Sequence, residues 1–167
     1  MPPEAAAVPV VPGLAFRETG PGDEAFLRAL YRSTREPELD LTGWSEADKR
    51  AFADSQFALQ DRHYREHYRG AAFLVIERAG EPIGRLYLHA MEGEIRVMDV
   101  ALVPAARDAG LGTAIMQAVI ADAARRGAAV TLHVESFNRA KSLYDRLGFR
   151  EEAVDGIHVR MRRGPGA

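Results

Sequence analysis

Apolar residues change their spacing several times along the chain, and each change marks an element. Leu14-Ala15-Phe16-Arg17 reads as a short strand, closed by the turn residues Thr19-Gly20-Pro21-Gly22. Asp23 stands where it can N-cap a helix through Arg32, with Phe26, Leu27, Leu30 and Tyr31 at helical spacing; Glu36-Pro37 predicts its end. Ser45, with Asp48 three residues on, predicts the cap of a second helix running to about Tyr68, and Gly70 stops it. The period then shortens. Phe73 to Ile76, Ile83 to His89 and Ile95 to Val103 read as strands, separated by turns at Ala79-Gly80-Glu81-Pro82 and Glu92-Gly93 and closed by Pro104. Gly110 to Arg126 returns to helical spacing through Leu111, Ile115, Met116, Val119 and Ile120, and Gly127 ends it. Val130 to Val134 is a strand, Asn138 to Leu147 a short helix stopped by Gly148, and Phe149 to Arg163 a hairpin turning at Asp155-Gly156.

The predicted order is β-α-α-β-β-β-α-β-α-β-β. Hairpin-connected strands come first and a βαβ unit follows, so the fold class is α/β with a mixed, mostly antiparallel central sheet and helices on both faces. Residues 1–13, rich in Pro and Ala, read as a flexible arm, and residues 14–167 as a single domain. The charge balance, 22 basic against 24 acidic residues, argues against a nucleic-acid binder. Without cysteine there is no thiolate chemistry, disulfide or Cys-type zinc site. No apolar run approaches the roughly 20 residues of a membrane span, and no secretory leader is read, so the expected location is cytoplasmic.

The segment Val100-Ala101-Leu102-Val103-Pro104-Ala105-Ala106-Arg107-Asp108-Ala109-Gly110-Leu111-Gly112-Thr113 changes this picture most. A buried strand runs into a loop with two glycines, and a long helix opens from it. A helix N-terminus carries unpaired N–H groups and partial positive charge, glycines let an anion approach the backbone, and Arg107 can add charge. Ile115 occupies the position of the third glycine of a dinucleotide fingerprint, and no lysine follows Gly112 as in a nucleotide-triphosphate loop. The turn alone also reads as a plain strand-to-helix connection.

After the next strand comes Asn138-Arg139-Ala140-Lys141-Ser142-Leu143-Tyr144-Asp145-Arg146-Leu147-Gly148-Phe149. R-x-x-G-x-G followed by N-x-A-x-x-L-Y-x-x-L-G-F resembles the GCN5-related N-acetyltransferase (GNAT) superfamily, most closely over residues 70–150. The resemblance implies an acyl-CoA N-acyltransferase fold and acetyl-coenzyme A as co-substrate, without a metal. It implies that amides of the loop Arg107, Asp108, Ala109, Gly110, Leu111, Gly112 and Thr113 hold the pyrophosphate. The strand Val100 to Val103, including Leu102 and Val103 at its end, would pair with the pantetheine arm through its backbone, and Asn138 and Lys141 would contact the cofactor. Tyr144 would protonate the departing thiolate; its rival role is packing against Leu143, Leu147 and Phe149. As an enzyme of this kind the chain would acetylate a small amine, an amino acid, an aminoglycoside or a protein amino group, and its short, near-neutral frame favours a small-molecule partner over a nucleic acid or membrane; a non-catalytic acyl-CoA-binding module is the alternative, and the family implies a possible homodimer.

Acetyl transfer to an amine needs a base, because alkylamines are protonated at neutral pH. Several members of the resembled family carry a Glu eleven residues before the position of Arg107; here Arg96 stands there, and it cannot be a base. The candidates are Asp99, a charge inside the apolar run Val97-Met98-Val100-Ala101-Leu102, then Glu94, and more weakly Glu135. A salt bridge from Asp99 to Arg96 or Arg85 is the competing reading. Gln56, Gln60, His63 and Tyr64 share a face of the second helix that reads as solvated or as a border of the acceptor site. Trp44 either packs on the acceptor or staples its loop. His63-Tyr64-Arg65-Glu66-His67 matches H-x-x-E-H, but a charged amphipathic helix without an identifiable third ligand reads as surface rather than a zinc site.

Overall fold

The computed structural model describes residues 8–166. In chain order the elements are β1 (Ala15–Glu18), α1 (Glu24–Leu39), α2 (Glu46–His67), β2 (Ala72–Arg78), β3 (Glu81–Met91), β4 (Glu94–Leu102), α3 (Leu111–Arg125), β5 (Ala129–Glu135), α4 (Ala140–Arg146), β6 (Arg150–Asp155) and β7 (His158–Arg163). The order is the one the apolar periods predict. Seven strands form one sheet in the order β1-β2-β3-β4-β5-β7-β6. Only β4 and β5 run parallel, joined by α3 as the crossover of the expected βαβ unit.

Alternation along β3 sorts the two faces. Leu86 and Leu88 join Ile95 and Val97 of β4 under Ile115, Met116 and Val119 of α3, in the main core. Arg85 and Tyr87 point the other way, toward α2, where Gln60 bonds Arg85 and the Tyr64 ring lies 6.0 Å from that of Tyr87. A second apolar cluster, Leu27, Tyr31 and Leu39 of α1 with Ala53 and Phe57 of α2, ties those two helices together.

Three local expectations are corrected. Helix α1 does not end at Glu36-Pro37 but continues to Leu39 with Pro37 in its last turn. Leu39 is buried in the α1–α2 cluster, and that burial outweighs the hydrogen bond that proline removes. Asp23 precedes α1 but does not cap it with its side chain. Its carboxylate accepts two hydrogen bonds from Arg17, each 2.8 Å, and one from the Gly20 amide at 2.7 Å, and these hold its pKa down at about 2. Of the expected N-terminal arm, residues 1–7 lie outside the described residues, while Val11 is buried in the main core. Ser45 caps α2 as predicted, its hydroxyl accepting from the Asp48 amide at 3.1 Å.

Gly84 marks the closest approach of two strands. A Cβ there would lie 2.3 Å from the carbonyl oxygen of Ala101 and 2.9 Å from Cδ2 of Leu102. Gly84→Ala is therefore expected to destabilise the domain by about 1–3 kcal/mol, lowering the thermal midpoint by roughly 2–12 °C, as checked by calorimetry.

Candidate active site

Strand β4 pairs with β3 along its whole length, from Met91↔Glu94 to Gly84↔Leu102. With β5 it pairs only from Glu94↔Ala129 to Val97↔Leu132. Beyond Val97 the two parallel strands part. A β-bulge falls at the same place, because Leu88 opposes Val97 and Tyr87 opposes Asp99, leaving Met98 as the extra residue. From Met98 to Leu102 one edge of β4 thus lacks a ladder partner on its β5 side, and all five residues are half-buried.

The chain leaves this open edge through a 3-10 turn at Pro104–Ala106 and enters α3 at Leu111. Asp108 and Gly110 take left-handed backbone conformations, φ +62° and +78°. The first intrahelical bond reaches from the Ala114 amide to the Gly110 carbonyl, 3.1 Å, so the amides of Leu111, Gly112 and Thr113 precede the ladder and remain donors. A Cβ at Gly112 would meet nothing within 4 Å. Asp108, Ala109 and Gly110 are exposed around this opening. An anion bound by backbone N–H groups fits here. Val103 faces its neighbour strand, its amide donating to the Ile83 carbonyl at 2.8 Å.

The charged residues expected to help are turned elsewhere. Arg107 donates through Nε to the Leu102 carbonyl at 2.9 Å and through Nη2 to the Ser33 hydroxyl of α1 at 3.0 Å. Lys141 pairs with Glu151 at 2.9 Å and Asp145 at 3.5 Å. Asn138 spends its side-chain oxygen on the Ala140 amide at 2.9 Å, at the opening of α4. The donors at this opening are thus backbone amides, with Arg107 bracing the strand end and Asn138 fixing the start of the following helix.

Tyr144 is buried, with its ring centroid 5.8 Å from that of Phe149. Burial, and next the charge of Asp99, push its phenol up to about 12, so it is protonated at neutral pH. Asp99 is 23 % exposed and ion-paired: its Oδ2 accepts from Nη2 of Arg85, a residue only 3 % exposed. Of the two arginines expected to compete for it, Arg85 takes the partnership. Arg96 is held by Glu94 at 3.0 Å and by the Thr131 hydroxyl at 3.3 Å.

Glu94 sits at the opposite end of β4, where β4 and β5 are still paired. It stands five positions before Asp99, about 16 Å of extended chain. Burial works against its charge, but Thr131, Arg96 and Arg160 outweigh it and hold the carboxyl below its ordinary value. The structure does not bring Glu94 to the opening. Glu135, at the end of β5, lies 4.0 Å from Arg35 of α1.

Helix α2 contributes more than its sequence suggests. Gln60 accepts from Arg85 Nη2 at 2.8 Å, and the Tyr64 hydroxyl donates to the Met98 carbonyl at the bulge, 3.3 Å. These two positions, one helical turn apart, carry α2 onto the polar floor of the opening. Burial pushes the Tyr64 phenol up. Tyr87, unnoticed in the sequence, lies directly opposite Asp99, with the Arg85 guanidinium 4.8 Å over its ring. The available signal was Arg85 itself, a charge inside the apolar run Ile83 to His89. His63 and His67 are exposed and stack on each other at 4.3 Å, and Trp44 packs edge-on against Phe52 at 5.4 Å. Among the described residues no three His, Cys, Asp or Glu side chains converge as metal ligands.

A family model described as the acetyltransferase (GNAT) family matches residues 27–149. A mycothiol acetyltransferase of Streptomyces avermitilis is 32 % identical over 154 residues, covering 86 % of this chain and 48 % of its own length. A second, from Thermomonospora curvata, is 34 % identical over 135 residues, covering 75 % of this chain and 46 % of its own. The chain therefore spans about half the length of these relatives. Among solved structures, the PaiA N-acetyltransferase of Thermoplasma acidophilum in complex with coenzyme A shares the fold at a TM-score of 0.67 and 18 % identity, over 90 % of this chain and 98 % of that one.

Coenzyme A is the ligand with which to test the backbone anion site. Gly112→Val should fold normally, because its Cβ enters open space, yet it crowds the free amides. Loss of one charge-assisted amide bond, about 1.5–3 kcal/mol, predicts a roughly 10–100-fold weaker affinity by titration calorimetry. Unchanged affinity in the folded variant would place the anion elsewhere.

Proposed function

The chain belongs to the acetyltransferase (GNAT) family, and on that premise we propose that it transfers the acetyl group of acetyl-coenzyme A to a primary amine of a small molecule. The parting of β4 from β5 directly before the free amides of α3 carries this reading. It offers a backbone edge for an extended arm and a donor cluster for the anion at that arm's end. Two relatives bearing the name mycothiol acetyltransferase support a small-molecule acceptor.

Acetyl-coenzyme A supplies an activated acetyl thioester; the chain supplies binding, orientation and proton transfers. The amides of Leu111, Gly112 and Thr113 hold the pyrophosphate, and the open edge from Met98 to Leu102 orients the arm. Asp99 lies at the bulge where that edge begins and takes the proton of the acceptor ammonium, directly or through water, freeing the lone pair for attack. Tyr144, protonated at neutral pH, gives its hydroxyl proton to the thiolate as the C–S bond breaks. Arg85 beside Asp99 offsets the cost of keeping this carboxylate charged in a half-buried site.

The reading is tested by following free thiol released from acetyl-coenzyme A with a panel of spermidine, glucosamine, an aminoglycoside, free amino acids and a lysine-containing peptide. Turnover with a small amine and not with the peptide is expected. Binding of acetyl-coenzyme A without turnover across a broad amine panel would turn the assignment toward a non-catalytic acyl-CoA-binding module. With the best amine, Tyr144→Phe should lower kcat about 10–100-fold while leaving the melting temperature and acetyl-coenzyme A affinity nearly unchanged. A role in packing alone predicts the reverse pattern: a tolerated Phe, and an Ala that mainly lowers the melting temperature. Asp99→Asn should lower kcat by about 10²-fold or more, most at low pH where the acceptor amine is most fully protonated. Wild-type rates for this variant across the pH profile would move the base role to solvent or Glu135.

A further inference from the structure

A base must present a lone pair in a fixed direction, and a carboxylate with two free torsions does not do so unaided. One oxygen of Asp99 is committed: Oδ2 accepts from Nη2 of Arg85, whereas Oδ1 takes no hydrogen bond from any described residue. Arg85 is located from several sides. The carbonyl oxygen of Gln60 accepts from the same Nη2 at 2.8 Å, the ring of Tyr87 lies beneath the guanidinium at 4.8 Å, and the side chain is 3 % exposed. Tyr87 is itself the cross-strand partner of Asp99, so strand register and guanidinium together fix where the carboxylate stands.

We infer that Arg85 is a positioning residue for the acetyl transfer, holding Oδ2 of Asp99 so that Oδ1 faces the acceptor amine, with Gln60 of α2 holding Arg85 in turn. This rests on the reading of Asp99 as the base. Arg85 is too deeply buried to touch the acceptor and works through the carboxylate. Oδ1 accepts the ammonium proton, the nitrogen lone pair forms the C–N bond, the C–S bond breaks and the thiolate takes its proton from Tyr144; the second proton, shed by the acylated nitrogen as it becomes the amide, restores the Tyr144 phenol through water. Asp99 afterwards returns its proton to solvent. A guanidinium keeps one face of the carboxylate occupied throughout, which an ammonium on a flexible stem does less well.

A double-mutant cycle tests this, with kcat measured by thiol release from saturating acetyl-coenzyme A and the panel amine that turns over fastest. Melting curves accompany each variant. Arg85→Lys keeps the charge and loses the fork; it should lower kcat about 10–100-fold and leave KM for acetyl-coenzyme A within about twofold. In the Asp99→Asn background the same change should alter kcat less than about twofold, because there is no base left to orient. Independent effects that multiply, or an Arg85→Lys enzyme with wild-type kcat, overturn the proposal. If Asp99→Asn lowers kcat and Arg85→Lys does not, only the positioning role falls; if Asp99→Asn itself keeps wild-type kcat, the base reading falls and takes the positioning role with it. Should Arg85→Lys fail to fold, Gln60→Ala replaces it, with a kcat loss of about 3–10-fold that again vanishes with Asp99→Asn; a loss that persists there overturns the proposal.

Discussion

Strand β4 satisfies its β3 side along its whole length and its β5 side only as far as Val97. Backbone groups left unpaired inside a sheet are costly unless something else meets them, so this parting is a constraint on everything around it. The bulge at Met98 bends the strand away, and the Tyr64 hydroxyl satisfies the carbonyl at that point. Farther along, Arg107 takes up the Leu102 carbonyl just before the chain enters the turn to α3. The remaining edge, together with the unladdered amides of α3, leaves a polar surface of backbone groups at this opening.

A second constraint follows from the first. The bulge sets the face on which Asp99 emerges, beside Tyr87 and diagonal to Arg85. A buried guanidinium is tolerable only when paired, and removing one partner of such a pair leaves an expensive charge behind. Arg85, Asp99 and Gln60 therefore behave as one group, and α2 is held to the sheet by the polar contacts of Gln60 and Tyr64 as well as by the apolar contacts it makes with α1. This side of the opening is thus stiffened by the same contacts that stabilise its charges.

The order of elements was legible because each had its own period and its own punctuation: alternating or continuous apolar strands, helical spacing in α3, Ser45 and Gly70 around α2. The loop from Arg107 to Thr113 was legible because glycines before a helix carry a direct physical meaning. Pro37 misled because its local cost is smaller than the burial of Leu39 two residues later. Arg107 is drawn toward the cofactor by the glycine-loop motif and the charge it could add, and Lys141 by the second motif. Folding offered them nearer partners, the Leu102 carbonyl and Ser33 for one and Glu151 and Asp145 for the other.

Helix and strand identity, the glycine turn and the pairing of the two motifs follow from short-range pattern and can be read along the chain. Which charges meet was decided by tertiary structure alone. In an unbroken strand Arg96 and Asp99 would face opposite sides, and so would Glu94 and Asp99. The extra residue at Met98 breaks that alternation, and the register with β3 brings Asp99 to Arg85. The end of the β5 pairing at Val97 leaves Glu94 in the closed part of the sheet, locked to Arg96 and Thr131. Bulge position and strand register depend on contacts between segments far apart in the chain, and no local spacing of residues encodes them.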